Sequence, residues 1–589
     1  MRRSVEGDAL DTSHLESSGQ GMKMTTRKSV GTYLLERLMK LGVRRIYGVP
    51  GDYNLEFLEL IERTEGIAFI GNCNELNAAY AADGDARLSG ISAVLTTYGV
   101  GDLSALSAVA GSYAEGVAVI MISGVPPQHA ITQRALLHHT LADGNYENIM
   151  ACYAQFTVAQ ARLLPQDAAG EIDRVLGAAW REKRPVYLQL PSDTCCVSVQ
   201  VPVEQDVPAP CGSDPIQLQA AVANIMERLA KATQPVFLLD ALVRRFDLRE
   251  RVGELSRLLD IPFATLATGK GALCETSPNY LGIYGGKASA PELYERVRTA
   301  DCIIGLGVRF VDATSGYFSY AFDPDAFINI QAFDTRCGMD TFLGVVVADL
   351  LDAIIATIKD RRDVHPSSVA DAASGQVPVP APLPVGQDVT PWGQPAFWAR
   401  IQAFLRQGDV VLADNGTSLV ALTHMRLPAE CHFISQPVWA AIGYTLPALL
   451  GSLNASPDRR HLLFIGDGSF QMTAQELSSV LRAGHKPVIF LLNNRGYTIE
   501  RMILGETAAY NDIANWDYAG LPGVMAQQDA ALCLRVNSMP ELEDALKQAQ
   551  DPQRLVFIEL GFGPMDGPVG ISNFGGAVRH YDYGAFDGG

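Results

Sequence analysis

Long apolar runs, paired cysteines and an excess of positive charge are all missing from this chain of 589 residues. The longest uncharged stretch, Pro437 to Pro457, is interrupted by Gly443, Pro447 and Gly451, so no membrane span is expected. No apolar segment follows Arg2-Arg3, so no secretory signal is expected either. The ten cysteines are scattered without a C-x-x-C pair, and adjacent Cys195-Cys196 suit an ordinary disulfide poorly. That pattern points to a reducing, cytoplasmic compartment. The net charge of −19 comes with no basic stripe, which argues against a sequence-independent nucleic-acid or anionic-membrane surface. An anionic small molecule held by a local site remains compatible. No dinucleotide fingerprint with a ribose-binding acid follows the first strand, and Gly99-Val100-Gly101 is only a turn, so a Rossmann oxidoreductase is disfavoured.

What is present is an alternation of helix and strand patterns over a length that suits about three domains. The expected fold is α/β, with three parallel-sheet domains. Residues 26–205 form the first, with strands at Arg45–Val49, Ile67–Gly71, Ala93–Thr97, Val117–Ser123 and Pro185–Leu190. Residues 212–365 form a central, structural domain with strands near Pro235–Leu239, Pro262–Leu266, Cys302–Leu306 and Phe327–Gln331. A Pro- and Ala-rich linker over 366–394 leads to a third domain at 395–565. Residues 1–25 are expected to be disordered. Gly561–Gly589 is glycine-rich without helical periodicity, so residues 566–589 are expected to be an irregular tail. No internal repeat is evident, although the first and third blocks share an α/β rhythm.

The densest chemistry lies between His461 and Glu500. His461–Ile465 and Pro487–Leu492 are short apolar runs typical of buried strands, and Thr473–His485 between them has helical periodicity. Gly466-Asp467-Gly468-Ser469 and Asn493-Asn494-Arg495-Gly496 are then polar loops at the same carboxyl edge of a parallel sheet, where ligands bind. Asp467, Asn494 and the Gly496 carbonyl are hard oxygen donors suited to Mg²⁺. Gly466 and Gly468 would let the backbone approach a phosphate, and Ser469 could donate to it near a helix start. A metal–diphosphate site is expected.

The Gly-Asp-Gly…Asn-Asn spacing resembles the cofactor motif of thiamine-diphosphate enzymes, and Gly496-Tyr497-Thr498-Ile499-Glu500 resembles the pyruvate and indolepyruvate decarboxylases. The resemblance covers roughly residues 26–560 and makes the three domains pyrimidine-binding, central and diphosphate-binding. It implies thiamine diphosphate and Mg²⁺ as cofactors, and a homodimer or dimer of dimers with its active site between subunits. The implied reaction is non-oxidative decarboxylation of a 2-oxo acid to an aldehyde and CO₂, through a thiamine C2 carbanion and an enamine.

Site residues carry over one by one. Glu75, on its own a helix-start carboxylate, resembles the glutamate that contacts the cofactor aminopyrimidine. His138-His139 resembles the family's histidine pair; as adjacent residues they look like a poor bidentate metal site. Asp52 and Glu500, on their own a turn residue and a helix-start acid, match the active-site aspartate and the substrate-side glutamate. With the two histidines they would handle protons. Thr417 in Gly416-Thr417-Ser418, and Ala440 and Ile442 in Trp439-Ala440-Ala441-Ile442-Gly443, match cofactor-binding positions. The Ala440 carbonyl would accept from the amine and Ile442 would be the apolar wedge. Leu242 or Val243 stands where some relatives carry a regulatory cysteine. Leu419 and Val420 replace bulkier aromatics, and Ile499 resembles the pyruvate type, so pyruvate, branched or aromatic 2-oxo acids such as phenylpyruvate and indolepyruvate are all candidate substrates. The alternatives are a carboligating synthase of acyloin or acetohydroxyacid type, and a catalytically silent scaffold that binds cofactor.

Overall fold

The structure, a computed structural model, describes residues 25–203, 212–360, 391–527 and 529–584. The expected N-terminal extension up to residue 24 and nearly all of the expected linker lie outside the described residues. The short apolar runs become strands buried on both faces, as parallel strands covered by helices must be. The N-terminal sheet runs edge to edge as Ala68–Gly71, Arg45–Gly48, Ser92–Thr97, Val119–Val125, Val186–Pro191 and Gln160–Arg162, all parallel. The C-terminal sheet runs as His432–Ile434, Val410–Ala413, His461–Gly466, Val488–Asn493, Leu555–Gly561 and Ala531–Val536, again all parallel.

Counted in chain order within each sheet, both follow 2-1-3-4-6-5. The shared rhythm of the two blocks is therefore a shared topology. In each, strand order reverses between the first and third strands, which opens a crevice beyond their carboxyl ends. Gly51-Asp52 and Tyr98-Gly99 border that crevice in the first sheet. Asp414 to Thr417 and Asp467 border it in the second.

The central sheet has seven strands: Tyr280–Ile283, Phe263–Thr265, Pro235–Leu239, Cys302–Leu306 and Phe327–Ile330 are parallel, and Asp334–Cys337 and Asp340–Leu343 close one edge antiparallel. The sequence reading named only the four innermost. The hairpin was missed because its strands are short, polar and half-exposed, with no buried apolar run to mark them. A two-stranded antiparallel clamp, Thr25–Ser29 on Ser198–Pro202, ties the first domain's start to its end.

The N- and C-terminal sheets share one apolar cluster through helix Glu75–Ser89, which packs on helix Thr445–Ala455. Small residues let the two backbones meet. A Cβ on Gly451 would fall 1.8 Å from Ala81 O, and one on Gly84 2.3 Å from Ala448 O. That is why the first helix is so rich in alanine.

Two expectations need correction. Gly466-Asp467-Gly468-Ser469 is not a free loop: Asp467 already begins helix Asp467–Thr473, which passes through a 3₁₀ turn, Ala474–Glu476, into Leu477–Arg482. Asp467 accepts from Gly468 N at the positive helix start, which stabilises helix despite two glycines. The irregular C-terminal tail is also wrong, because Ile571–Tyr583 is a helix. Ile571 and Val578 are buried seven residues apart. Gly575 hid the pattern, and its role is close packing: a Cβ there would sit 2.8 Å from Met502 O. The helix thus rests on Thr498–Ile503, and its Tyr581 ring packs on Tyr317 and Phe318.

No helix among the described residues is long and apolar enough to cross a membrane. The nine cysteines among them are free thiols.

Candidate active site

Strand ends place two polar groups, one per sheet. In the C-terminal domain the crevice holds Asp467, buried to 1 % exposure. Its Oδ1 accepts from Gly468 N (2.8 Å) and its Oδ2 from Gly496 N (3.2 Å). Burial outweighs these donors and pushes the carboxyl up to about 6. Asn494 Oδ1 lies 2.7 Å from Gly496 O and 3.0 Å from Asp467 Oδ1, oxygen facing oxygen. Turning the amide over would make hydrogen bonds of both contacts, but it would set the amide oxygen 2.7 Å from Thr498 Oγ1. The single proton of Thr498 already goes to Pro564 O (2.9 Å), so its oxygen is an acceptor for the Asn494 amide N–H instead. Three oxygens therefore converge with no proton between them. Turning the amide over with the Thr498 hydroxyl rotated onto it relieves that arrangement, and so does a cation; the donor set, a carboxylate, an amide and a carbonyl, suits a hard divalent ion.

Around it, Gly416 (φ +133°) and Gly466 have open space where a Cβ would stand, which leaves room for a ligand group against the backbone. Gly468 serves a different end from that expected. The Tyr497 ring occupies the place of its Cβ, at 2.5 Å. Thr417 opens helix Thr417–His424, and Ser469 Oγ donates to Asn415 O at 3.4 Å. Ala440 adopts φ +56°, unusual for a residue with a side chain. Buried Asp414 holds that segment, accepting from Gly443 N (3.1 Å), Thr445 N (3.0 Å) and Thr445 Oγ1 (2.6 Å), while Asn415 Nδ2 donates to Ala441 O (3.2 Å). From the N-terminal domain, buried Glu115 accepts from Val438 N (2.9 Å) and Trp439 N (3.2 Å). Half-buried Ile442 and Ile499 and exposed Glu500 border the same region.

In the N-terminal domain Asp52 and the two histidines meet. His138 Nε2 lies 2.7 Å from Asp52 Oδ2, and His139 Nε2 lies 3.8 Å from Asp52 Oδ1. Adjacent side chains converge because His139 sits at φ +60°, so the pair is not splayed as a strand would make it. Tyr53 stacks on His138 at 5.1 Å, and burial with the nearby Asp52 charge raises its phenol to about 12. Glu75 begins helix Glu75–Ser89, and a Cβ on Gly101 would lie 3.4 Å from its Oε1. Its segment is fixed by buried Glu476, which accepts from Asn72 Nδ2 (2.8 Å), Cys73 N (3.2 Å) and Asn77 Nδ2 (2.9 Å).

The structure thus gathers Asp467, Asn494 and Gly496, and separately Asp52, His138 and His139. Among the described residues no hydrogen bond or ion pair joins the two groups. Sequence reasoning missed Asp414, Glu115 and Glu476, because a buried carboxylate that caps backbone looks in sequence like any other acid.

Such a pair of groups can hold an anionic cofactor through a cation and can move protons beside it. Comparison with known proteins points to an anionic cofactor of this kind. Residues 28–145 match the profile "Thiamine pyrophosphate enzyme, N-terminal TPP binding domain", 222–349 the central domain of such enzymes and 414–560 their C-terminal TPP binding domain. The chain is 44% identical over 536 residues to an alpha-keto-acid decarboxylase of Mycolicibacterium paratuberculosis, covering 90% of this chain and 93% of that protein. It is 42% identical over 554 residues to one from Mycobacterium ulcerans (93% and 96% covered) and 43% identical over 536 residues to one from Mycobacterium tuberculosis (90% and 94%).

Proposed function

Because this chain belongs to the thiamine-pyrophosphate-dependent 2-oxo acid decarboxylases, we propose that it is of the pyruvate or indolepyruvate decarboxylase type, turning a small 2-oxo acid into an aldehyde and CO₂. The observation that carries this reading is the convergence of the Asp467 carboxylate, the Asn494 amide and the Gly496 carbonyl. Magnesium held there would neutralise a diphosphate bound beside Gly466, Ser469 and Thr417. Bound thiamine diphosphate supplies an electron sink for the pair left by departing CO₂.

The chain's own residues do the rest. Glu75 would hold a proton at the aminopyrimidine nitrogen. The Ala440 carbonyl would accept from the exocyclic amine, and Ile442 would be an apolar wedge against the cofactor. Asp52, His138, His139 and Glu500 deliver and remove protons at the reacting carbon and the product oxygen. Half-buried Leu419 and Val420 would widen the pocket for branched or aromatic side chains, and half-buried Ile499 would limit it as in the pyruvate-type enzymes. The two groups come together between copies of the chain, as a homodimer or a dimer of dimers. Support for this is the exposed apolar side chains near each: Leu136 (69 %) and Leu141 (73 %) flank the histidines in the chain, and Met472 (54 %) lies on the helix that Asp467 begins. The reducing cytoplasm suits the free thiols.

The test is aldehyde release across pyruvate, 2-oxoisovalerate, phenylpyruvate and indolepyruvate with thiamine diphosphate and Mg²⁺. Aldehyde from at least one is expected, and the ranking names the pocket. Acyloin as the main product would favour a carboligating synthase, and cofactor binding with no turnover would favour a silent scaffold.

A further inference from the structure

Asp102 lies in the first turn of helix Val100–Glu115, fully buried and outside the groups described above. Its Oδ1 accepts from Thr96 Oγ1 (3.0 Å) and its Oδ2 from Gly99 N (3.0 Å) and Ser123 Oγ (2.9 Å). One carboxylate thus ties together the carboxyl ends of two adjacent strands and the turn between strand and helix.

Every N-terminal segment of the site rests on that node. Gly99 stands at φ +68°, and a Cβ there would fall 1.9 Å from His139 O, so the histidine backbone lies directly on the Gly99 Cα. A Cβ on Gly51, next to Asp52, would meet Thr97 Cβ at 2.5 Å, and one on Gly124 would meet Tyr53 O at 2.5 Å. Gly101 abuts Glu75. The contacts are too close to absorb a shift, so a displacement of residues 96–101 passes straight to the groups above them.

We propose that Asp102 is a positioning residue, whose carboxylate sets the backbone on which His139, Asp52 and Glu75 are placed. The inference deepens the decarboxylase reading and rests on it for the roles of those three residues. The carboxylate's setting fits this function. Tyr98, Tyr153 and Tyr187 surround it, Tyr153 donates to Asp102 O (2.7 Å), and no Lys, Arg or His among the described residues bonds or pairs with it. Burial consequently raises the carboxyl to about 7. A buried charge without a cation is poor stabilisation, and here its three hydrogen bonds are what it provides.

Asp102→Asn keeps an oxygen for Gly99 N–H and Ser123 and can donate to Thr96, whose hydroxyl reverses. Asp102→Ala leaves all three donors without a partner. In cofactor-free protein, hydrogen–deuterium exchange of residues 96–103 and 136–143 is expected to accelerate in Asp102→Ala and to stay near wild type in Asp102→Asn. With cofactor and Mg²⁺, kcat should fall about 100-fold in the alanine variant with little change in KM, as for a misplacement near 1 Å, and Asp102→Asn should recover most of it. If Asp102→Ala does not fold, Ser123→Ala withdraws one donor and reports the same exchange at smaller amplitude. Unchanged exchange over 136–143 in the alanine variant, or in Ser123→Ala where that stands in for it, overturns the proposal; so does a folded Asp102→Ala with wild-type kcat. A wild-type protein that decarboxylates nothing refutes the proposed function instead, and the exchange data still decide the placement by Asp102.

Discussion

Replacing Asp467 with asparagine separates what the buried carboxylate does for the fold from what it does for a cation. In the metal-free protein the carboxyl sits at about 6 instead of 3.8, so holding it ionised at neutral pH costs roughly 3 kcal/mol. The amide removes that cost. It introduces another, because its NH₂ must face either the Gly468 or the Gly496 N–H, and an unsatisfied buried donor costs about 1–3 kcal/mol. Asp467→Asn should therefore be no less stable than wild type without ligand, and up to about 2 kcal/mol more stable by the difference of these terms. With thiamine diphosphate and Mg²⁺ the order reverses. Wild type gains about 2.7 kcal/mol at 100 times the dissociation constant, while the variant has lost the anionic member of its oxygen triad and gains little. Thermal unfolding with and without both ligands reads this as a rise of several degrees for wild type and almost none for the variant. An equal rise in both proteins would refute the assignment of the triad.

Further outcomes follow from the same geometry. Glu75→Gln should lower turnover by about 10²-fold or more with an unchanged circular dichroism spectrum; near-wild-type turnover would remove Glu75 from the chemistry. Glu476→Ala, which strands the amides of Asn72 and Asn77 and the Cys73 N–H, should cost about 3 kcal/mol or more in denaturant unfolding; a loss under about 1 kcal/mol would show that the anchor is solvated instead. For Asp102 the sign runs against common acid behaviour. Its folded value near 7 exceeds the 3.8 of the free carboxyl, so its contribution to stability is intact below about pH 4 and is lost as pH rises through 7. The advantage of Asp102→Asn over wild type should then grow from pH 4 to pH 8, towards the order of 4 kcal/mol. A pH-independent difference between the two would contradict it.

Much of this was legible in the residues because burial leaves a plain mark. Strands such as His461–Gly466 are apolar on both faces and end in glycine, and the polar residues just beyond them can only lie at the carboxyl edge. The meeting of Asp467, Asn494 and Gly496 at that edge was expected that way. The sheet orders were not legible, since crossover helices conceal which strand neighbours which, and the repeated 2-1-3-4-6-5 order emerged only in three dimensions. Helix Ile571–Tyr583 escaped notice because Gly575 is there to admit Met502, a tertiary reason that overrides helix propensity. The convergence of His138 and His139 on Asp52 depends on one left-handed residue. Asp102, Asp414 and Glu476 were invisible as a class: nothing local distinguishes an acid that caps buried backbone from one that faces water.

The central claim is that carbon dioxide leaves and one aldehyde is released for each 2-oxo acid consumed. The most direct measurement follows CO₂, aldehyde and residual 2-oxo acid together by NMR, with a single substrate, thiamine diphosphate and Mg²⁺. A one-to-one-to-one stoichiometry is predicted. Two 2-oxo acids consumed per CO₂ with the carbon appearing as an acetohydroxy acid, one CO₂ per 2-oxo acid with the carbon appearing as an acyloin instead of an aldehyde, or no CO₂ at all, would contradict it.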